Sequence, residues 1–82
     1  MLPDWRSYQY GSGWVRPLRN RVSELRKLRG WSQKALGDQL GVSRQAVNAI
    51  ERGKHDPSLL LAFRIAKLFE VSIEDVFDAE IT

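Results

Sequence analysis

The chain contains no cysteine and a single histidine, His55, among its 82 residues. Without thiols it can close no disulfide and offer no thiolate to a metal or a substrate. One imidazole is too few for a zinc or catalytic centre built on nitrogen ligands. No apolar run approaches the roughly 20 residues of a membrane-spanning helix, and the N-terminal residues lack the apolar stretch of an export signal. Neither a nucleophile motif nor a phosphate-cradling glycine loop occurs. The expectation is a soluble cytoplasmic protein with no membrane contact, no enzymatic activity, no cofactor and no metal. Acids, too, are scarce over much of the chain. Between Arg16 and Lys54 stand ten bases and three acids (Glu24, Asp38 and Glu51), a net of +7. From Glu70 onward five acids stand without a base. The overall charge of +3 thus hides a basic body and an acidic end, a polarity that would orient the domain on a phosphate backbone.

What is present is concentrated in Gln33–Arg52, QKALGDQLGVSRQAVNAIER. The spacing predicts one helix from Ser32 to Leu40 and a second from Arg44 to Arg52, with Ser32 and Ser43 as N-caps. Gly37 inside a helix costs about 1 kcal/mol relative to Ala, which points to a close helix crossing there. Gly41 follows the last apolar residue, where a left-handed residue ends many helices. Leu36, Leu40, Val42, Val47 and Ile50 supply the inward positions. Arg44, Gln45, Asn48 and Arg52 fall on the opposite side of the second helix. Arg can donate two hydrogen bonds to guanine, and Gln or Asn can pair with adenine. A helix that opens on Arg44 and Gln45 suits the major groove, where the N-terminal end of a recognition helix meets base edges.

Residues Asn20–Phe77 resemble the lambda-repressor-like, or Xre-type, helix-turn-helix family. The matching segments are RVSELRKLRGWSQ, LGVSRQAVNAIERGKHDPSL and RIAKLFEVSIEDVF. The likeness is strongest to the compact bacterial subgroup of little more than five helices, a cytolysin repressor among them. It implies an all-α, five-helix domain that binds double-stranded DNA as a homodimer and regulates transcription. It also implies a partly buried ion pair between Arg26 and Glu51, a phosphate contact from Gln33, and a phosphate clamp around Lys54. Gln33 stands at a helix N-terminus, where amides and dipole attract phosphate. Lys34, Ser43 and Arg52 complete the expected phosphate contacts, and Arg44, Gln45 and Asn48 the expected base or groove contacts. The alternative role for Arg26 is a phosphate contact of its own.

Elsewhere, the expected helices are Asn20–Arg29, carrying Val22, Leu25 and Leu28; a fourth from Pro57-Ser58 to Phe69, with Leu59, Ala62, Ile65, Ala66 and Phe69 inward and Phe63 beside them; and a last from Ser72 to Phe77. Either Asp56 or Ser58 could cap the fourth. Ser72 and Asp75 carry a capping signal. Glu70 stands where Gly or Asn would better end a helix. Val71, Ile73, Val76 and Phe77 are many apolar residues for one short helix. Leu60, Ile73, Val76, Phe77 and Ile81 are therefore candidates for a two-fold interface, the alternative being that the helix closes the monomer core. Residues 1–19, with Trp5, Tyr8, Tyr10 and Trp14 among glycines and prolines, hold no persistent period. They read as a partly disordered extension, with a protein partner for its aromatics as one role. Residues 20–77 make the domain and 78–82 an acidic tail.

The reading is a sequence-specific regulator, a repressor acting on a palindromic operator. Within the same class stands the antitoxin of a toxin–antitoxin pair, which represses its own operon. A rival of another class, an interaction module that has lost DNA binding, predicts an acidic or apolar recognition face. Arg44, Gln45 and Asn48 speak against it.

Overall fold

The computed structural model describes residues 19–78. Five helices follow in order: α1 (Val22–Leu28), α2 (Gln33–Leu40), α3 (Arg44–Glu51), α4 (Leu59–Leu68) and α5 (Ile73–Val76). Two short strands, β1 (Arg19–Asn20) and β2 (Phe77–Asp78), bracket them and pair antiparallel, with Arg19 opposite Asp78 and Asn20 opposite Phe77. The architecture is the expected helical one, with this small sheet as an addition. Two-residue strands carry no readable period, so their pairing is a product of where the helices bring the chain ends. The pairing draws Arg19 out of the expected extension and Asp78 out of the expected tail. Trp5, Tyr8, Tyr10, Trp14 and Ile81 lie outside the described residues. No helix among the described residues is long and apolar enough to cross a membrane.

Serine hydroxyls start four of the helices. Ser32, Ser43, Ser58 and Ser72 each accept from the backbone N–H three residues on, at 2.9 to 3.2 Å. Such caps are worth about 1 kcal/mol each. Ser58, not Asp56, caps α4. At α5 the Ser72 N–H also donates to the Asp75 carboxylate, closing a capping box. These bonds from the Ser72 side chain and backbone hold the Asp75 carboxyl below its usual range.

The core draws on every helix: Val22, Leu36, Leu40, Val47, Ile50, Ile65, Ala66, Phe69 and Val76 form one cluster. Val42, Val71, Ile73 and Phe77 pack against it. The α5 residues therefore close the monomer. Val76, expected on a two-fold surface, is 1% exposed and has no face left for a second chain. Ile73 and Phe77 are half-buried, and Leu60 is exposed as expected.

Three further expectations fail, the first of them for a geometric reason. Each residue advances a helix by about 100°, so strict three-residue spacing slips by about 60° per step. Leu28 thus lies about 120° round from Val22, and it is exposed at the end of α1. The inward place one turn after Val22 belongs to Arg26. Leu59, the first residue of α4, and Phe63 are exposed as well.

Gly37 is buried in α2. A Cβ placed there would stand 2.6 Å from the Val42 carbonyl oxygen. The close approach inferred from the sequence exists, but it is to the backbone of the turn and not to the side of α3. Gly41, at φ +74°, reverses the chain in a left-handed conformation and donates its N–H to the Gly37 carbonyl.

α4 ends in a Schellman motif. The Glu70 N–H donates to the Lys67 carbonyl and the Val71 N–H to that of Ala66. Glu70 holds the left-handed position at φ +58°, the one non-glycine residue among the described residues to do so. Nearby, the Arg29 guanidinium lies over the rings of both Trp31 and Phe69, at 5.4 and 5.7 Å, and fastens the end of α1 to that of α4.

Gly37→Ala should destabilise the domain by about 1–3 kcal/mol in urea unfolding, because forcing atoms into a packed contact outweighs the gain of about 1 kcal/mol in helix propensity. Glu70→Gly should act the other way, stabilising by about 1 kcal/mol by relieving the left-handed strain, visible as a melting temperature higher by about 4–8 °C.

Candidate nucleic-acid interface

α3 buries Val47 and Ile50 and turns its other side outward. Arg44, Asn48, Arg52 and Gln45 occupy an arc of about 100° on that outer side. Arg44, Gln45 and Arg52 are exposed and Asn48 is half-buried. Gln33, from the first turn of α2, joins Arg44, Gln45 and Asn48 around an open notch of about 260 Å³. The structure thus brings together all three residues expected to read bases and one expected to meet phosphate.

The remaining expected phosphate ligands border this face. Ser43 uses its oxygen to cap α3, leaving its hydroxyl proton as a donor. Lys34 pairs with Asp38 at 3.0 Å one turn away, and both are exposed. Such a surface pair is worth only a few tenths of a kcal/mol, too little to keep Lys34 from a phosphate. Arg52 is the C-cap of α3, and Lys54 follows in the exposed turn closed by its own N–H on the Ala49 carbonyl. Among the described residues, no group of three or more metal-ligating side chains is gathered.

Behind the notch lies the polar centre of the domain. Arg26 Nε donates to Glu51 Oε2 at 2.7 Å and Nη2 to Oε1 at 3.2 Å, a bidentate pair joining α1 to α3. Its Nη1 donates to the Trp31 carbonyl at 2.8 Å. Gln33 Nε2 donates to Glu51 Oε1 at 3.0 Å. The side chains of Arg26 and Glu51 are 12% and 6% exposed. Both sides of the Arg26 guanidinium are thus engaged by protein, the arrangement expected of a structural ion pair. Among the described residues, no buried side-chain nitrogen or oxygen lacks a partner.

Asn20 has a role that sequence reasoning missed. Read as the start of a helix, it lies in β1 and spans two elements. Its Nδ2 donates to the Ile50 carbonyl at 2.8 Å, and its Oδ1 accepts from the Val22 N–H at 3.1 Å. It ties the start of α1 to the end of α3. The only signal was the preference of Asn for capping positions, which does not reveal a partner 30 residues away.

The family model described as Helix-turn-helix matches residues 22–76. The chain is 53% identical over 60 residues to YgzD of Bacillus subtilis and equally to MJ0272 of Methanocaldococcus jannaschii, both named HTH-type transcriptional regulators. Each alignment covers 73% of this chain and 91% of the relative. Among solved structures, the fold resembles the restriction-modification controller protein C.AhdI of Aeromonas hydrophila. That match has a TM-score of 0.61 at 31% identity, over 67% of this chain and 80% of that one. The relatives span bacteria and archaea, so the similarity extends beyond the bacterial subgroup expected from the sequence.

Arg26→Met should destabilise the domain by about 3–5 kcal/mol, because it leaves the Glu51 carboxylate buried without its counter-charge. Replacing both partners with Met should recover most of that loss. Urea unfolding of the two variants separates an unpaired charge from lost packing.

Proposed function

This chain belongs to the HTH_3 helix-turn-helix family of DNA-binding transcriptional regulators, which are not enzymes, and from that premise we propose that it is a repressor that binds a palindromic operator as a homodimer. The observation that carries the proposal is the exposed Arg44–Gln45–Asn48 face of α3, bordered by Gln33, Lys34, Arg52 and Lys54. Arg44, Gln45 and Asn48 read base edges in the major groove. Gln33, Lys34, Ser43, Arg52 and Lys54 hold phosphates and set register. Repression follows from occupancy: a domain of this size, lying over promoter DNA, excludes other proteins from it.

The dimer surface is proposed on α4. Leu59, Leu60 and Phe63 are 69%, 64% and 54% exposed, and they fall within an arc of about 100° on one side of the helix. Three large apolar side chains in one patch favour a partner, and a second copy supplies the identical patch that a two-fold contact requires. Two recognition helices would then meet half-sites about one helical turn apart on one face of the duplex.

Selection of bound sequences from a random duplex library tests the whole reading. The expected result is an inverted repeat with that spacing, and retention of DNA without a motif would leave only electrostatic binding. Arg44→Ala should then weaken operator binding by about 1–3 kcal/mol and relax preference at one base pair. Lys54→Ala should weaken all sequences alike and lower the salt slope by about one. Equal loss on operator and random DNA for Arg44→Ala would remove its base-reading role. Leu60→Lys should yield a monomer in sedimentation, and a dimer that persists would move the interface elsewhere.

A further inference from the structure

We propose that Glu51 and Arg26 are positioning residues for DNA binding: from behind the reading surface, they set which hydrogen-bonding end of Gln33 faces the notch beside Arg44, Gln45 and Asn48. The inference rests on the DNA-binding reading above and deepens it.

The geometry is an unbroken chain of hydrogen bonds. It runs from the Trp31 carbonyl to Arg26 Nη1, from Arg26 Nε and Nη2 to both oxygens of Glu51, and from Glu51 Oε1 to Gln33 Nε2. Burial of the Arg26 and Glu51 side chains keeps water from competing for these bonds. Gln33 is where the chain reaches the surface, half-buried at the rim of the notch.

The chemistry of the pair decides the orientation of the amide. A carboxylate only accepts, so Gln33 must turn Nε2 toward Glu51 and its Oε1 away. One N–H and the carbonyl oxygen remain to serve the notch. The two ends of an amide are nearly equal in shape, so nothing in packing alone distinguishes them. The negative charge of Glu51 does. The oxygen presented toward the notch suits a donor, either the Arg44 guanidinium as it enters the groove or a base amine. The remaining N–H suits a phosphate oxygen. Arg26 contributes by neutralising Glu51 and fixing its carboxylate plane, so that Oε1 stays aimed at Gln33.

The test is a double-mutant cycle on the full chain with Gln33→Ala, Glu51→Gln and the two combined. Affinity is measured on the operator duplex recovered by selection and on a random duplex, and thermal unfolding checks that each variant is folded. Gln33→Ala alone should lower operator affinity about tenfold, but less than about twofold when Glu51→Gln is already present, a coupling within the range of directly bonded groups. Where Glu51→Gln fails to fold, the charge-swapped pair Arg26→Glu/Glu51→Arg preserves an ion pair but offers Gln33 donors instead of an acceptor. It should likewise lower operator affinity about tenfold, with a smaller loss on the random duplex, where Gln33 serves phosphate alone. Independent, multiplying effects in the cycle, or a swapped chain with undiminished operator affinity, would overturn this inference alone. A wild-type chain with no operator preference would overturn it together with the reading on which it rests.

Discussion

The Val42 carbonyl oxygen stands 2.6 Å from where a side chain on Gly37 would begin, and the geometry of the half that carries Gln33, Arg44, Gln45 and Asn48 depends on that contact. Because position 37 has no Cβ, the turn folds back onto α2, Val42 reaches the edge of the core, and α3 departs with Val47 and Ile50 already facing inward. Any wider turn would shift α3 relative to α2 and separate Gln33 from Arg44, Gln45 and Asn48. The helix-interior glycine lowers local helix stability and in return sets the relation of the two helices that carry the surface.

The other elements keep α2 and α3 in that relation. Arg26 and Glu51 join α1 to α3 with two hydrogen bonds, Asn20 joins the strand to the end of α3, and Arg29 covers Trp31 and Phe69 where α1 meets α4. These contacts are directional, whereas the apolar core beneath them is not. A core of Leu, Ile and Val tolerates rearrangement; a bidentate pair in a dry site does so far less. The polar layer between the core and the outer side of α3 thus gives that side its geometry, and it is also the layer through which Gln33 is held.

Most helix starts were legible because their cause is local: a serine hydroxyl three residues before a free N–H can be recognised without knowing the fold. The same holds for the left-handed glycine at position 41 and for the exposed side of α3. The errors share the opposite cause. Leu28, Leu59 and Phe63 are as hydrophobic as their buried neighbours, and only the angular positions of Leu28 and Phe63 and the place of Leu59 at the start of its helix leave them in solvent. Val76 was misassigned in the other direction, since a short helix reads as unable to bury so many apolar residues until the closing sheet is seen to press it onto the core.

Composition and short-range spacing were enough to point to a helical, disulfide-free domain, most of its caps, its turn and the polar, basic outer side of α3. They sufficed because each follows from backbone chemistry within four residues or from the side chain itself. Tertiary structure alone decided that Arg19 and Asn20 pair with Phe77 and Asp78, that α5 closes the monomer, and that the exposed apolar patch lies on α4. It alone brought Gln33 within 3.0 Å of Glu51. The Gln33–Glu51 and Arg19–Asp78 pairs join residues 18 and 59 positions apart, and no local preference encodes a partner that only the packing of five helices delivers.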